Sequence, residues 1–89
     1  MTSFEKKVYK AVLTIPLGDV RTYKWVAKKI GNPRAVRAVG SALKNNPYPL
    51  IIPCHRIVYS NGRLGGYIFG RKTKRMLLNL ERQIKKLVL

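Results

Sequence analysis

Cys54 and His55 stand side by side in the segment Ile52-Pro53-Cys54-His55-Arg56, and they are the only cysteine and the only histidine of the chain. A thiol attacks as its thiolate, which is favoured by a histidine able to take the proton and by nearby positive charge. Arg56 and the strongly basic chain supply that charge. Two considerations pull the other way. A free cysteine often serves only as a small buried hydrophobe. In a regular strand, moreover, adjacent side chains point to opposite faces, so a direct dyad needs Pro53, a local bend or a bridging water to reconcile the two. Glu81 is one of only three acids and lies four residues after Leu77 on the edge of an apolar stripe, where it could orient an imidazole. Its alternative is an i,i+4 pair with Lys85, worth ~0.2–0.5 kcal/mol. Tyr23 is either a core residue or a hydroxyl presented to a base, and Arg37 reads most simply as a phosphate contact. One cysteine and one histidine fall short of the three or four ligands of a zinc site, so no metal and no cofactor is expected. The lone cysteine also excludes an internal disulfide.

A small fold must position these groups. The 89 residues, 46% hydrophobic and 9% aromatic, suit one globular domain, residues 1–89, around a single core. Thr2 and Glu5 make a capping-box pattern, and Phe4, Val8, Ala11, Val12 and Ile15 recur at helical spacing, which predicts a helix from about Ser3 to Ile15. After Pro16-Leu17-Gly18-Asp19, Thr22 caps a short helix holding Tyr23, Trp25, Val26 and Ile30 and ended by Gly31. Asn32 as N-cap and Pro33 as first helical residue predict a third helix to about Lys44. On it Arg34, Arg37, Ser41 and Lys44 share an arc of ~80°, opposite Val36, Val39 and Leu43. The two helices read as a helix-turn-helix, and the small residues Ala35, Ala38, Gly40 and Ala42 let the second approach a groove wall closely.

Asn45-Asn46-Pro47-Tyr48-Pro49 is a stiff connector. Ile57-Val58-Tyr59, a Ser60-Asn61-Gly62 turn and Arg63-Leu64 then suggest a small hairpin or wing. From Arg71 onward, Thr73, Leu77, Leu80, Ile84 and Leu87 form the apolar stripe of a closing helix, with Lys72, Lys74, Arg75, Arg82, Lys85 and Lys86 mostly off it. The expected fold class is mostly α with a small β-hairpin, a winged helix-turn-helix-like single domain.

Nineteen Lys and Arg against three Asp and Glu leave a net charge of +16. Such a surface suits displacement of counterions from nucleic-acid phosphates; a generic basic surface is the alternative. The longest aliphatic run, Leu50-Ile51-Ile52, is boxed by Pro49 and Pro53, far short of the ~20 apolar residues that span a bilayer. The opening residues lack the apolar stretch of a secretory signal. These features favour nucleic acid over a membrane as partner and imply an intracellular protein; a cytoplasmic monomer that acts on DNA is the expectation.

Pro53-Cys54-His55-Arg56, preceded by Asn32-Pro33-Arg34-Ala35-Val36-Arg37-Ala38-Val39-Gly40 and by Asn46-Pro47, resembles the active domain of the methylated-DNA–protein-cysteine methyltransferase (O6-alkylguanine-DNA alkyltransferase) family. The resemblance runs from the first helix to Glu81, without a counterpart of the family's usual N-terminal domain. It implies DNA repair in which the alkyl group of O6-methylguanine in duplex DNA, with O4-methylthymine as a second candidate, passes irreversibly to Cys54 in a single turnover. His55 would deprotonate Cys54 through a water, Glu81 would orient the imidazole, and Tyr23 would give its phenol proton to the guanine. Asn46 would brace the turn before the active-site segment. Arg37 would replace the flipped nucleotide in the stack, the recognition helix entering the minor groove. Tyr23, Lys24, Asn32, Ser60 and the helix residues Arg34, Ala38, Ser41 and Lys44 would contact DNA. Pro49, Val58, Tyr67 and Ile68 would wall the substrate pocket. Lys74 matches the family, whereas Ile68 replaces a small or polar residue and Arg71 the usual leucine, a bulkier loop that bears on the size of alkyl group accepted. Two other readings stand beside this one: a non-catalytic alkyltransferase-like lesion sensor, and a winged-helix architectural or regulatory DNA binder.

Overall fold

The computed structural model describes residues 1–88. Helix α1 spans Ser3–Leu13 and opens on the expected capping box, in which Thr2 Oγ accepts from the Glu5 N–H at 3.0 Å and Glu5 Oε1 from the Thr2 N–H at 2.8 Å. It stops two residues before the expected Ile15. The Thr14 hydroxyl turns back onto the Ala11 carbonyl, and the Thr14 and Ile15 N–H groups make i→i−3 bonds, the tightened geometry of a closing turn. A two-residue strand β1 (Arg21–Thr22) leads directly into α2 (Tyr23–Lys29), capped by Thr22 Oγ, which accepts from the Trp25 N–H at 3.0 Å.

Helix α3 spans Val36–Lys44. The expected start at Asn32-Pro33 is corrected by three residues: the Asn32 carbonyl closes a turn onto the Ala35 N–H, and Ala35, without a capping side chain, is the N-cap. Arg34 therefore precedes the helix. The face prediction for the rest of the helix matches the burial of Val39 and Leu43 and the exposure of Arg37, Ala38, Ser41 and Lys44, but Ala42, expected among the small groove-facing residues, is buried in the core. Helices α1, α2 and α3 pack on one another around Val8, Val12, Val26, Ala27 and Val39, and the Tyr9 hydroxyl bonds the Ala42 carbonyl at 2.7 Å.

The remaining elements are a 3-10 turn at Cys54–Arg56, strand β2 (Ile57–Val58) and helix α4 (Arg71–Val88). The Ser60-Asn61-Gly62 turn forms, closed by the Tyr59 N–H on the Arg63 carbonyl at 2.9 Å. It does not make a paired hairpin. β2 instead runs parallel to β1, with Arg21 opposite Ile57 and Thr22 opposite Val58. The expected stripe on α4 is also displaced by about one residue. Lys74 and Leu78 are buried while Leu80 and Leu87 are exposed, because the line through Lys74, Leu78 and Glu81 is the one that meets the active-site turn and its flanking loop. Among the described residues no helix is long and apolar enough to cross a membrane.

Candidate active site

The parallel register builds the site. Tyr23 and Tyr59 each stand one residue beyond the last paired position of their strands, so their rings come together with centroids 4.7 Å apart. The chain enters β2 through the 3-10 turn, whose three residues per turn separate successive side chains by about a third of a circle. Cys54 thereby faces a cavity while His55 turns inward toward α4. The strand geometry that argued against these neighbours serving one site does not apply, since the segment is not a strand.

His55 is 1% exposed, and its Nε2 lies 2.8 Å from Glu81 Oε2. An ionised carboxylate only accepts, so Nε2 carries a hydrogen, and the neutral tautomer that this contact selects is the one with the lone pair on Nδ1. That Nδ1 is buried and, among the described residues, has no partner. In the tautomer that Glu81 selects, it is the nitrogen left free to accept a proton. Glu81 also receives both ends of the Arg56 fork, Nε on Oε1 and Nη2 on Oε2 at 2.9 Å each, while Arg56 Nη1 bonds the Ile15 carbonyl. Burial by itself pushes the Glu81 carboxyl up; the hydrogen bonds and charge of Arg56 and His55 outweigh it and hold the group below its usual range. The Lys85 alternative for Glu81 fails, because Lys85 reaches across to Asp19.

Asn46 makes two hydrogen bonds across the preceding turn. Its Nδ2 donates to the Ile52 carbonyl and its Oδ1 accepts from the Tyr48 N–H, both at 2.9 Å. The turn is tight enough to hold Leu50 at φ 76°, a left-handed conformation that costs a branched side chain ~1–2 kcal/mol. Pro49 forms a bridge with Ile52 inside this turn.

Cys54, 8% exposed, sits in a cavity of about 570 Å³ with Tyr23, Ser41, Lys44, Tyr67 and Ile68. Burial, then the neighbouring Tyr59 and Cys54, push the Tyr23 phenol up, so it keeps its proton well past neutrality. Tyr67, whose buried hydroxyl has no partner among the described residues, is pushed up to about 12, chiefly by burial. Gly65 packs against Tyr23 from outside the cavity at φ +74°, where a Cβ would stand 2.8 Å from Tyr23 Oη. Lys74, 0% exposed, donates to the Ile57, Leu64 and Gly66 carbonyls and ties the loop before Tyr67 to β2. Burial depresses its ammonium to about 8, against the opposing charge of Cys54.

Several expected positions lie elsewhere. Pro49 and Val58 do not line the cavity, since Pro49 is taken up in the bracing turn and Val58 pairs with Thr22. Arg37, Ala38, Lys24 and Ser60 are exposed outside it, as are Asn32 and Arg34 in the turn before α3. Gly40, Leu43, Tyr59 and Gly66 line it without having been anticipated. For Gly40 the signal was present, one helical turn before Lys44 on the same flank. Among the described residues no group of three or more acids, histidines and cysteines could hold a metal.

Comparison with known proteins follows the same outline. A family model described as the DNA-binding domain of 6-O-methylguanine DNA methyltransferase matches residues 3–83. The methylated-DNA–protein-cysteine methyltransferase of Methanosarcina barkeri is 54% identical over 80 residues, 90% of this chain and 51% of that protein. Its Mycobacterium tuberculosis counterpart is 49% identical over 81 residues, 91% of this chain and 49% of that protein. The chain thus spans about half the length of these curated relatives. The crystal structure of Mycobacterium tuberculosis OGT in complex with DNA aligns with TM-score 0.91 at 48% identity, covering 93% of this chain and 52% of that one. S. pombe Atl1, in complex with damaged DNA containing O6-carboxymethylguanine, aligns with TM-score 0.80 at 36% identity, covering 91% of this chain and 77% of that one.

Proposed function

Because this chain belongs to the 6-O-methylguanine DNA methyltransferase family, we propose that it repairs duplex DNA by moving the alkyl group of an O6-alkylguanine onto Cys54. The observation that carries this reading is a cysteine facing a cavity, with a phenol on its wall and a His55–Glu81 pair beneath. The Cys54 proton passes through a water to His55 Nδ1, and the resulting imidazolium is held by Glu81. The thiolate attacks the alkyl carbon; the S–C bond forms as the O6–C bond breaks, and the electron pair withdraws into the purine. Tyr23 delivers its proton to the base, so guanine leaves neutral, and the imidazolium proton returns to the phenolate through solvent. No group in the cavity can reverse a thioether. Each molecule therefore reacts once.

The base must leave the stack to reach Cys54. The exposed face of α3, with Arg37, Ala38, Ser41 and Lys44, is the surface for the minor groove, and Arg37 occupies the space the nucleotide vacates. Arg34, Asn32, Lys24 and Ser60 hold backbone around it. Every group invoked lies within these residues, so transfer is expected from this chain alone, acting as a monomer. Tyr23→Phe is expected to slow transfer ~10²-fold or more, the range of a lost general acid, with lesion binding unchanged in an anisotropy titration. Since the phenol is pushed up, the wild-type rate should not fall on the alkaline side until above pH ~10.

Loss of the methyl mark from a duplex carrying one O6-methylguanine tests the function. It should saturate at one equivalent per protein and never turn over again. A second reading, lesion recognition without transfer, draws on the likeness to S. pombe Atl1, of which the chain covers 77%. Tight lesion binding with the mark intact would favour that reading. Cys54 argues for transfer.

A further inference from the structure

A second cavity, of about 620 Å³, shares the Tyr59 ring with the Cys54 cavity and takes no part in the transfer chemistry. Three arginines, Arg63, Arg71 and Arg75, line it together with Asn61 and Leu64. All three are exposed, and among the described residues none pairs with a carboxylate. The chain has only three acidic side chains, and each is engaged elsewhere: Glu5 in the α1 cap, Asp19 with Lys85 and Arg21, Glu81 with His55 and Arg56. Arginine does not lose its charge at any working pH, so three guanidinium groups repel one another here unless an anion from outside joins them.

The backbone that carries the three arginines is held in place. Arg71 and Arg75 stand one turn apart at the start of α4, on the same helix flank. Arg63 is set by the Ser60-Asn61-Gly62 turn, where Asn61 Oδ1 accepts its N–H at 3.0 Å and its carbonyl closes on Tyr59. Lys74 joins the two limbs by holding the Leu64 and Gly66 carbonyls from α4. Guanidinium groups gathered on such a backbone match phosphate oxygens with their planar forks. Arg71 stands where the family resemblance leads one to expect leucine, so the cluster is not a requirement of the alkyl transfer itself.

We propose that Arg63, Arg71 and Arg75 form a phosphodiester-binding groove that grips the backbone of the lesion strand on the far side of Tyr59 from the reactive cavity. It rests on the reading that the Cys54 cavity receives a base from DNA. A strand whose base enters one cavity carries its neighbouring phosphates past the wall that the two cavities share.

Each phosphate contact contributes ~0.9 to the slope of log K against log[salt]. Replacing the cluster (R63A/R71L/R75A) should reduce that slope by ~2–3, so that the wild-type advantage in affinity shrinks ~10–40-fold between ~50 and ~200 mM salt. Anisotropy titrations of a lesion duplex at several salt concentrations read it directly. R63K/R71K/R75K should keep the slope. Removing three equally exposed charges from α1 (K6A/K7A/K10A) should leave most of it. An unchanged slope in the alanine–leucine variant, an equal loss in the α1 variant, or a loss in the lysine variant would each overturn the proposal. Wild-type methyl transfer, followed in parallel, separates the two claims: a shallower slope with no transfer by wild type keeps the groove and removes the repair reading, while transfer with an unchanged slope does the reverse.

Discussion

Glu81→Gln should both slow alkyl transfer and unfold the domain at markedly lower temperature. Glu81 Oε1 accepts from Arg56 Nε, and Oε2 accepts from Arg56 Nη2 and His55 Nε2. In either amide orientation the glutamine NH2 would confront a donor, so the swap leaves a clash as well as an unpaired guanidinium. Breaking one partner out of a mostly buried, charge-assisted network costs about 2–4 kcal/mol. In a domain of this size that is a fall of roughly 10–25 °C in Tm. Transfer, measured well below the new Tm, should drop ~10²–10⁴-fold as His55 loses the group that orients it. The sign with pH follows from the depressed Glu81 carboxyl. Its stabilisation is complete above the ordinary glutamate pKa and disappears as pH falls through the lower folded value, so wild type should lose Tm below pH ~4.5. The variant should lack that component. Equal transfer rates at 25 °C for wild type and E81Q would contradict the role given to Glu81.

Lys74→Met should be comparably damaging from a position away from the reacting atoms. Methionine matches the stem of lysine but offers no donor to the Ile57, Leu64 and Gly66 carbonyls. Each buried group left unsatisfied costs ~1–3 kcal/mol, and a total near 3 kcal/mol or more is expected. Because the clamp holds Gly65 against Tyr23 and places Tyr67 over the cavity, transfer should slow in the fraction that stays folded. A lysine depressed to about 8 by burial binds its proton less readily folded than unfolded. Stability therefore rises with pH between about 8 and the ordinary lysine value near 10.5. The Tm difference between wild type and K74M, followed by calorimetry, should widen across that window; a flat difference would show that Lys74 does not titrate there.

The sequence pointed to the candidate residues more directly than to the architecture. Cys54, His55 and Glu81 stood out because each is rare in a chain of nineteen cations and three acids, and Thr2 and Thr22 cap the helices they were expected to cap. The wing was misread for a physical reason: β1 and β2 have two residues each, too short for alternation to show, and their parallel pairing joins segments 36 positions apart. The Tyr23–Tyr59 contact depends on that register and was hidden with it. Lys74 escaped because charge at helical spacing reads as a solvated face, whereas three backbone carbonyls converge on it in the fold. Asn32-Pro33 carried a genuine helix-start signal, yet the chain uses Asn32 in a turn before the helix.

Peptide mass mapping after incubation with a duplex carrying one O6-methylguanine, beside an unmodified duplex, tests the central claim most directly. One methyl group on Cys54, never more than one per protein and absent with unmodified DNA or in C54A, is the predicted result. A methyl group on any other residue, or an unmodified protein firmly bound to the lesion duplex, would contradict it.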